Sequence, residues 1–310
     1  MRGDKMKMIN IGNSELKGSE ISLGCMRIAN LPVNEVAKLI HTAQESGINY
    51  FDHADIYGKG KSEEIFSEAV DMKPSIRENM IIQTKCGIRN GYFDFSKEHI
   101  LNSVDQSLKR LKTDYIDVLL LHRPDTLMEP AEVSEAFNKL YEQGKVRHFG
   151  VSNQNPMQIE LLNQYLDHKI LINQLQFSIT NTGMIDSGLN VNMQIDPSID
   201  RDGSILEYCR LKNITIQAWS PFQYGFFEGV FLDNPKFPEL NNKINEIAKL
   251  KGVSNSAIAV AWILRHPAKI QTIVGTTNKD RLKEICKASE VELTRQEWYE
   301  IYRAAGNKLP

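Results

Sequence analysis

Eight short strand-like runs, each followed by a helix-like stretch, succeed one another from Ile21 to Ala288, and no polar linker divides the series. Parallel strands can be joined only through a crossover, and helices supply it, so such a series folds as an open doubly wound sheet or as a closed barrel. Eight uninterrupted units favour the barrel. The expected class is α/β, a (β/α)8 TIM barrel in a single domain over residues 1–310, with its core from about residue 20 to about residue 290. The expected strands are Ile21 to Leu23, Asn49 to Asp52, Met80 to Lys85, Ile116 to Leu121, Val146 to Val151, Leu171 to Phe177, Ile214 to Trp219 and Ile270 to Val274. Between them the apolar positions recur at helical spacing, as Val36, Leu39, Ile40 and Ala43 do ahead of Gly47. Helix starts are expected after Asn34, Ser62 and Asn155, where capping side chains stand. Residues 178–202, rich in Asn, Ser, Asp and Gly, read as one long loop. The segments before Ser19 and after Val291 are additions, and Thr294 is placed to cap a last helix carrying Trp298 and Ile301.

Charge narrows the partners. The chain has 37 Lys and Arg against 39 Asp and Glu, a formal net charge of −2, with no basic block, which gives no electrostatic case for nucleic acid or an anionic membrane surface. A small molecule is the expected partner, with the chain a monomer or a weak oligomer. Cys25, Cys86, Cys209 and Cys286 lie far apart without a C-x-x-C pair, so they are expected to be reduced and buried. No apolar leader run follows Met1, and nowhere do 18 apolar residues run together, so a cytoplasmic chain is expected. Asn213-Ile214-Thr215 matches the N-glycosylation pattern, but within an apolar strand-like run it reads as chance.

In a barrel of this kind the chemistry sits where strands end and the next loops begin. Asp52, with Tyr57 five residues on, then Lys85, then His122 stand at the ends of three successive strands, and so in one mouth. A buried Lys ammonium beside a tyrosine favours the phenolate and is expected to lower the phenol pKa from about 10, making Tyr57 a usable proton donor. Asp52 would keep Lys85 charged, and a neutral His122 could hydrogen-bond an oxygen on which charge develops. Such a set hands a proton to a carbonyl oxygen. Hydride is the missing half, and since no side chain supplies it, a nicotinamide cofactor is implied.

Seven segments, FDHADIYGKGKSEEIF, IIQTKCG, DVLLLHRPD, HFGVSN, INQLQFS, QAWSPF and IVGTTNKDRLKE, occur in this order, and together they resemble the aldo-keto reductase superfamily from about Ile21 to Ala288. The resemblance implies reduction of aldehydes or ketones with NADPH, with Tyr57 as acid, Lys85 and Asp52 tuning it and His122 orienting the carbonyl. It also implies that Ser152, Asn153 and Gln174 hold the nicotinamide carboxamide and that its ring stacks on Trp219. The pyrophosphate would lie along Ser220, Pro221, Phe222 and the loop through Gly225, and Met26 and Arg27 would face the cofactor. Adenosine and its 2′-phosphate would meet Thr276, Thr277, Asn278 and Arg281. Gly275 stands where the family often has Lys, and Ile285 where it often has Asn, so the preference for NADPH rests mainly on Arg281 and NADH remains possible. No complete G-x-G-x-x-G occurs, because Glu63 ends the pattern that Gly58 and Gly60 begin, which disfavours a Rossmann site.

Two other classes compete. Asp52, His53, Asp55 and His122 carry ligand atoms for a metal-dependent hydrolase, but neighbouring strand residues face opposite ways and no H-x-H or H-E-x-x-H is present. A cofactor-binding regulatory subunit of the same fold, with slow turnover, is the other. His53 reads as a residue near the substrate, and Arg123 as a strand-end charge paired with Asp125. Tyr92, Phe93, Phe95 and the run Phe222 to Phe227 are expected to give the mouth an aromatic-tolerant wall.

Overall fold

Side chains along a strand point alternately to its two faces, so each barrel strand divides its residues between the interior and the surrounding helices. In the computed structural model, which describes residues 6–310, eight parallel strands close on themselves. They are β1 (Ile21–Gly24), β2 (Tyr50–Asp52), β3 (Ile81–Cys86), β4 (Ile116–Leu121), β5 (Val146–Ser152), β6 (Ile170–Gln176), β7 (Thr215–Trp219) and β8 (Gln271–Val274). These are the eight expected runs, in chain order around the barrel, with Thr272 of β8 pairing Ile21 of β1. In β3, Ile81 packs inside the barrel and Ile82 and Cys86 pack among the helices, so Gln83 and Lys85 fall on the inner face with Ile81. In β4, Val118 and Leu120 point in and Leu119 and Leu121 point out.

Two apolar cores follow from that division. The larger lies between the barrel and its helices, as where Val36, Leu39, Ile40 and Ala43 bury one face of Val33–Glu45. The smaller fills the lower barrel with Tyr50, Ile81, Val118, Leu120, Leu171 and Ile172, and Ile11 joins it. Ile11 directly follows the first strand of a hairpin, Met8–Asn10 paired with Lys17–Ser19, that the sequence reading treated only as an addition. The start of the chain, Met1 to Lys5, lies outside the described residues.

Several boundaries move. The first helix begins at Val33 with Pro32 in the capping position, and no side chain caps it there, Asn34 included. The next begins at Lys61, because Gly60 takes a left-handed φ of 90° at the cap while Ser62 donates its hydroxyl to the carbonyl of Cys25 at 2.5 Å. The expected caps at Asn155 and Thr294 are present as full capping boxes with Gln158 and Glu297. Residues 178–202 are not one loop. They contain the helix Gly183–Leu189 and a 3-10 turn at Asp196–Ser198. Asp186 ties that helix down by accepting the hydroxyl of Tyr302 at 2.6 Å, a long-range contact that overrides a composition poor in helix formers. All four cysteines are free and buried. No single helix among the described residues is long and apolar enough to cross a membrane.

Candidate active site

The C-terminal ends of the strands enclose a cavity of about 500 Å3. Asp52 ends β2, Tyr57 stands on the short 3-10 turn that follows it, Lys85 is the penultimate residue of β3, and His122 directly follows β4. The Lys85 ammonium is fully buried and lies 2.7 Å from Asp52 Oδ1, 2.8 Å from the carbonyl of His53 and 3.1 Å from the Tyr57 hydroxyl. The His122 ring meets that of Tyr57 edge to face at 5.9 Å. The four expected residues therefore converge.

Their electrostatics differ from expectation at one point. Burial would strip the Lys85 ammonium of its proton, but Asp52 and Tyr57 more than offset this, and its pKa stands above the ordinary lysine value. Tyr57 was expected to be lowered and is raised instead. Burial is the largest cause, and although Lys85 pulls the phenol down, Asp52 pushes it up. The ammonium cannot win because a carboxylate already neutralises it at 2.7 Å. The phenol thus keeps its proton through the neutral range and is available as a donor. Burial, with Lys85 and Arg123 adding to it, drives the pKa of His122 well below the usual histidine value, so its ring is neutral.

Below this group runs a chain of buried amides that the sequence reading missed. Asp52 Oδ1 accepts from Gln83 at 2.5 Å and from Gln174 at 3.0 Å, besides Lys85. Both amides also donate to Gln217, which donates to Gln271, which donates to the carbonyl of Ser19 near the barrel floor. Tyr50 donates to Gln83 Oε1 at 2.7 Å. A signal existed: Gln83, Gln217 and Gln271 interrupt otherwise apolar strands, and buried amides require partners.

The proposed cofactor residues divide between wall and surroundings. Met26, Arg27, Ser152, Asn153, Gln174 and Trp219 line the cavity, as do Ser220, Pro221, Phe222, Gly275, Thr276 and Arg281. Gly225, Thr277 and Asn278 do not. Gly225 is instead the turn between two short paired strands, Gln223–Tyr224 and Gly229–Val230, and its carbonyl accepts from Gln176. Asn278 caps the helix Lys279–Cys286 by accepting from the Arg281 amide. Asn153 and Ser220, at two strand ends on the wall, hold left-handed φ values of 56° and 54°, a costly conformation that concentrates at functional sites. Asn153 accepts from the Trp219 indole at 3.2 Å and donates to Ser152 at 2.7 Å. Gln174 has committed its amide nitrogen to Asp52 and Gln217, which leaves its oxygen without a side-chain partner among the described residues. Among the described residues Arg27 reaches only the carbonyl of Gly275, at 3.3 Å.

Other expectations are corrected. His53 turns its ring onto Phe66, with both nitrogens buried and without partners among the described residues, and serves Lys85 through its carbonyl. Arg123 does not pair with Asp125, whose two oxygens accept the backbone amides of Phe95 and Leu127. Phe95 is core, packed where a Cβ on Gly87 would collide with it, and Tyr92 and Phe93 are exposed away from the cavity. Phe222 and Phe227 do line it.

Asp55, in the loop after β2, carries a testable oddity. Its Oδ1 is buried without a partner, and burial, with the charge of Glu63 beside it, pushes its pKa up to about 7 against the pull of Arg110. Its folded pKa lies above the unfolded value, so its contribution to stability is full below about pH 4 and is lost as pH rises to about 7. Asp55→Asn is therefore expected to raise the Tm above pH 7 and to leave it close to the parent at pH 4. A Tm difference independent of pH would refute the shift.

A closed βα barrel with titratable groups gathered at the C-terminal mouth is the scaffold of an enzyme, and the fold alone does not say which chemistry it runs. The chain belongs to the aldo/keto reductase family, whose model matches residues 20–305. It is 37% identical to "Uncharacterized oxidoreductase YcsN" of Bacillus subtilis, over 96% of this chain and 97% of that protein. It is 33% identical to a "6-dehydroglucose reductase" of Agrobacterium fabrum, over 96% and 97% of the two chains. Among solved structures, it superimposes on the thermostable aldo-keto reductase Tm1743, crystallised with the inhibitor epalrestat, with a TM-score of 0.78 at 26% identity, covering 96% of this chain and all of the other. The chain is an NAD(P)H-dependent oxidoreductase of carbonyl chemistry acting on a small molecule.

Proposed function

We propose that the chain reduces aldehydes or ketones to alcohols with NADPH, and that Tyr57 is the acid. The observation that carries this reading is the Tyr57 hydroxyl 3.1 Å from the buried Lys85 amine, on the cavity wall shared with His122. Bound NADPH supplies a hydride for the carbonyl carbon. Tyr57 Oη then gives its proton to the carbonyl oxygen, and the ammonium of Lys85 stabilises the phenolate left behind. His122 holds the carbonyl oxygen in line, and Asp52, fixed by Gln83 and Gln174, holds Lys85.

The residues present suit that cofactor. Ser152, Asn153 and the free oxygen of Gln174 would hold the carboxamide, and Trp219 would lie against the ring. Ser220 to Phe222 and Gly225 would follow the pyrophosphate. Arg27, Thr276 and Arg281 gather at the start of the helix Lys279–Cys286, where backbone N–H groups favour an anion, and Met26, Gly275, Thr277 and Asn278 complete that end. Steady oxidation of NADPH with a panel of aldehydes, with the alcohol identified as product, tests the activity. Binding of NADPH without turnover across the panel would overturn it. Arg281→Ala is expected to weaken NADPH by about 10- to 100-fold and NADH far less, since only the former offers a 2′-phosphate to a guanidinium. An equal loss for both would remove Arg281 from that role.

A further inference from the structure

Arg123 is a charged residue in the mouth that the reaction leaves unused. It follows His122 at the end of β4 and lines the same cavity, half-buried. Its guanidinium packs over Trp219 and Phe226, with Cζ 5.5 Å and 5.9 Å from the ring centroids. Among the described residues it forms no ion pair. Asp125, the carboxylate two residues on, is occupied by two backbone amides, and of the two carboxylates lining the cavity Asp52 belongs to Lys85 and Asp233 accepts from Asn255. The two other arginines on the cavity wall, Arg27 and Arg281, lie at its Gly275–Thr276 end, where the cofactor phosphates are proposed to bind, whereas the buried Arg77 and Arg110 outside the cavity are matched with Asp117 at 2.6 Å and Glu63 at 2.7 Å.

A half-buried cation without a counter-charge gives up part of its hydration, and the two aromatic rings return only a part of it. Contact with the rings engages no N–H donor, and among the described residues Arg123 makes no side-chain hydrogen bond, so the planar fork of its donors is free. That edge matches the two oxygens of a carboxylate or phosphate. Because Tyr57, His122 and Arg123 line one cavity, a molecule whose carbonyl meets Tyr57 and His122 brings its other end within reach of the fork.

We propose that Arg123 anchors an anionic group on the substrate, so that the enzyme prefers carbonyl compounds bearing a carboxylate or phosphate over neutral ones. The proposal rests on the reading of Tyr57 and His122 as the pair that holds the carbonyl.

Two matched pairs test it: succinic semialdehyde against butyraldehyde, and glyceraldehyde 3-phosphate against glyceraldehyde. The first pair reports a carboxylate and the second a phosphate. The parent enzyme is expected to favour the anionic member of at least one pair in kcat/KM. Arg123→Met is expected to erode that preference by about 10- to 100-fold, chiefly through KM, and Arg123→Lys to keep part of it. A preference unchanged in Arg123→Met, or a parent that favours the neutral members of both pairs, overturns the proposal. Succinate binding to the NADP+ complex, followed by quenching of tryptophan fluorescence, separates this failure from that of the function itself. If no aldehyde is reduced, the proposed activity fails, and binding of succinate by the parent but not by Arg123→Met still upholds the anion site. Equal binding by both removes it.

Discussion

Tyr57→Phe is expected to lower kcat by about 10²- to 10⁴-fold, the usual contribution of a positioned proton donor, while NADPH affinity changes by less than about twofold. The separation follows from what the hydroxyl touches. Its one hydrogen bond among the described residues is to Lys85, and that ammonium keeps Asp52 at 2.7 Å and the His53 carbonyl at 2.8 Å when the hydroxyl is removed. The phenyl ring preserves the edge contact with His122 and the position under the Lys85 ammonium, 4.9 Å from its centroid. The fold and the cofactor wall are thus left in place and the acid is lost. Rapid-quench measurement of the first turnover at saturating NADPH checks the chemical step directly. An undiminished single-turnover rate would mean that the proton comes from elsewhere, His122 or solvent, and would end the assignment of Tyr57.

The raised pKa of Tyr57 also bears on pH. With the phenol above its ordinary value and Lys85 above its own, neither titrates near neutrality, so the acid should stay competent through the whole neutral range.

The fold was legible because hydrophobic pattern and strand period speak for the same architecture: each of the eight strand runs is bounded by a helix with a clear apolar face. The convergence of the candidate site residues was legible for a simpler reason. In a barrel a strand end is a place, so Asp52, Lys85 and His122 could be put in one mouth from their position along the chain. What escaped the sequence depends on side chains meeting across the barrel. Gln83 and Gln217 stand 134 positions apart yet share a hydrogen bond of 2.9 Å, and no local pattern states which inward residues lie at the same height. The sign of the Tyr57 shift failed for the same reason, since it depends on how fully Asp52 neutralises Lys85. The helix Gly183–Leu189 was hidden because its anchor, Tyr302, comes from the far end of the chain.

Asp52→Leu is expected to destabilise the protein by about 3–5 kcal/mol, because it leaves the Lys85 ammonium buried without its counter-charge. Combining it with Lys85→Met is expected to recover most of that loss in chemical denaturation, since an apolar pair of similar volume can replace a buried ion pair at little cost. The neighbouring amides tolerate the change: Gln83 and Gln174 both retain Gln217 Oε1 as an acceptor when the carboxylate is gone. Turnover should not follow stability. The double variant has a folded barrel, an intact cofactor wall and a Tyr57 hydroxyl, but no ammonium to stabilise the phenolate, so its activity should remain as low as that of Asp52→Leu or lower. Recovery of both stability and turnover would mean that the pair only props up the barrel. Recovery of neither would mean that the amide chain down to Ser19, and not the charge pair alone, needs the Asp52 carboxylate as its terminus.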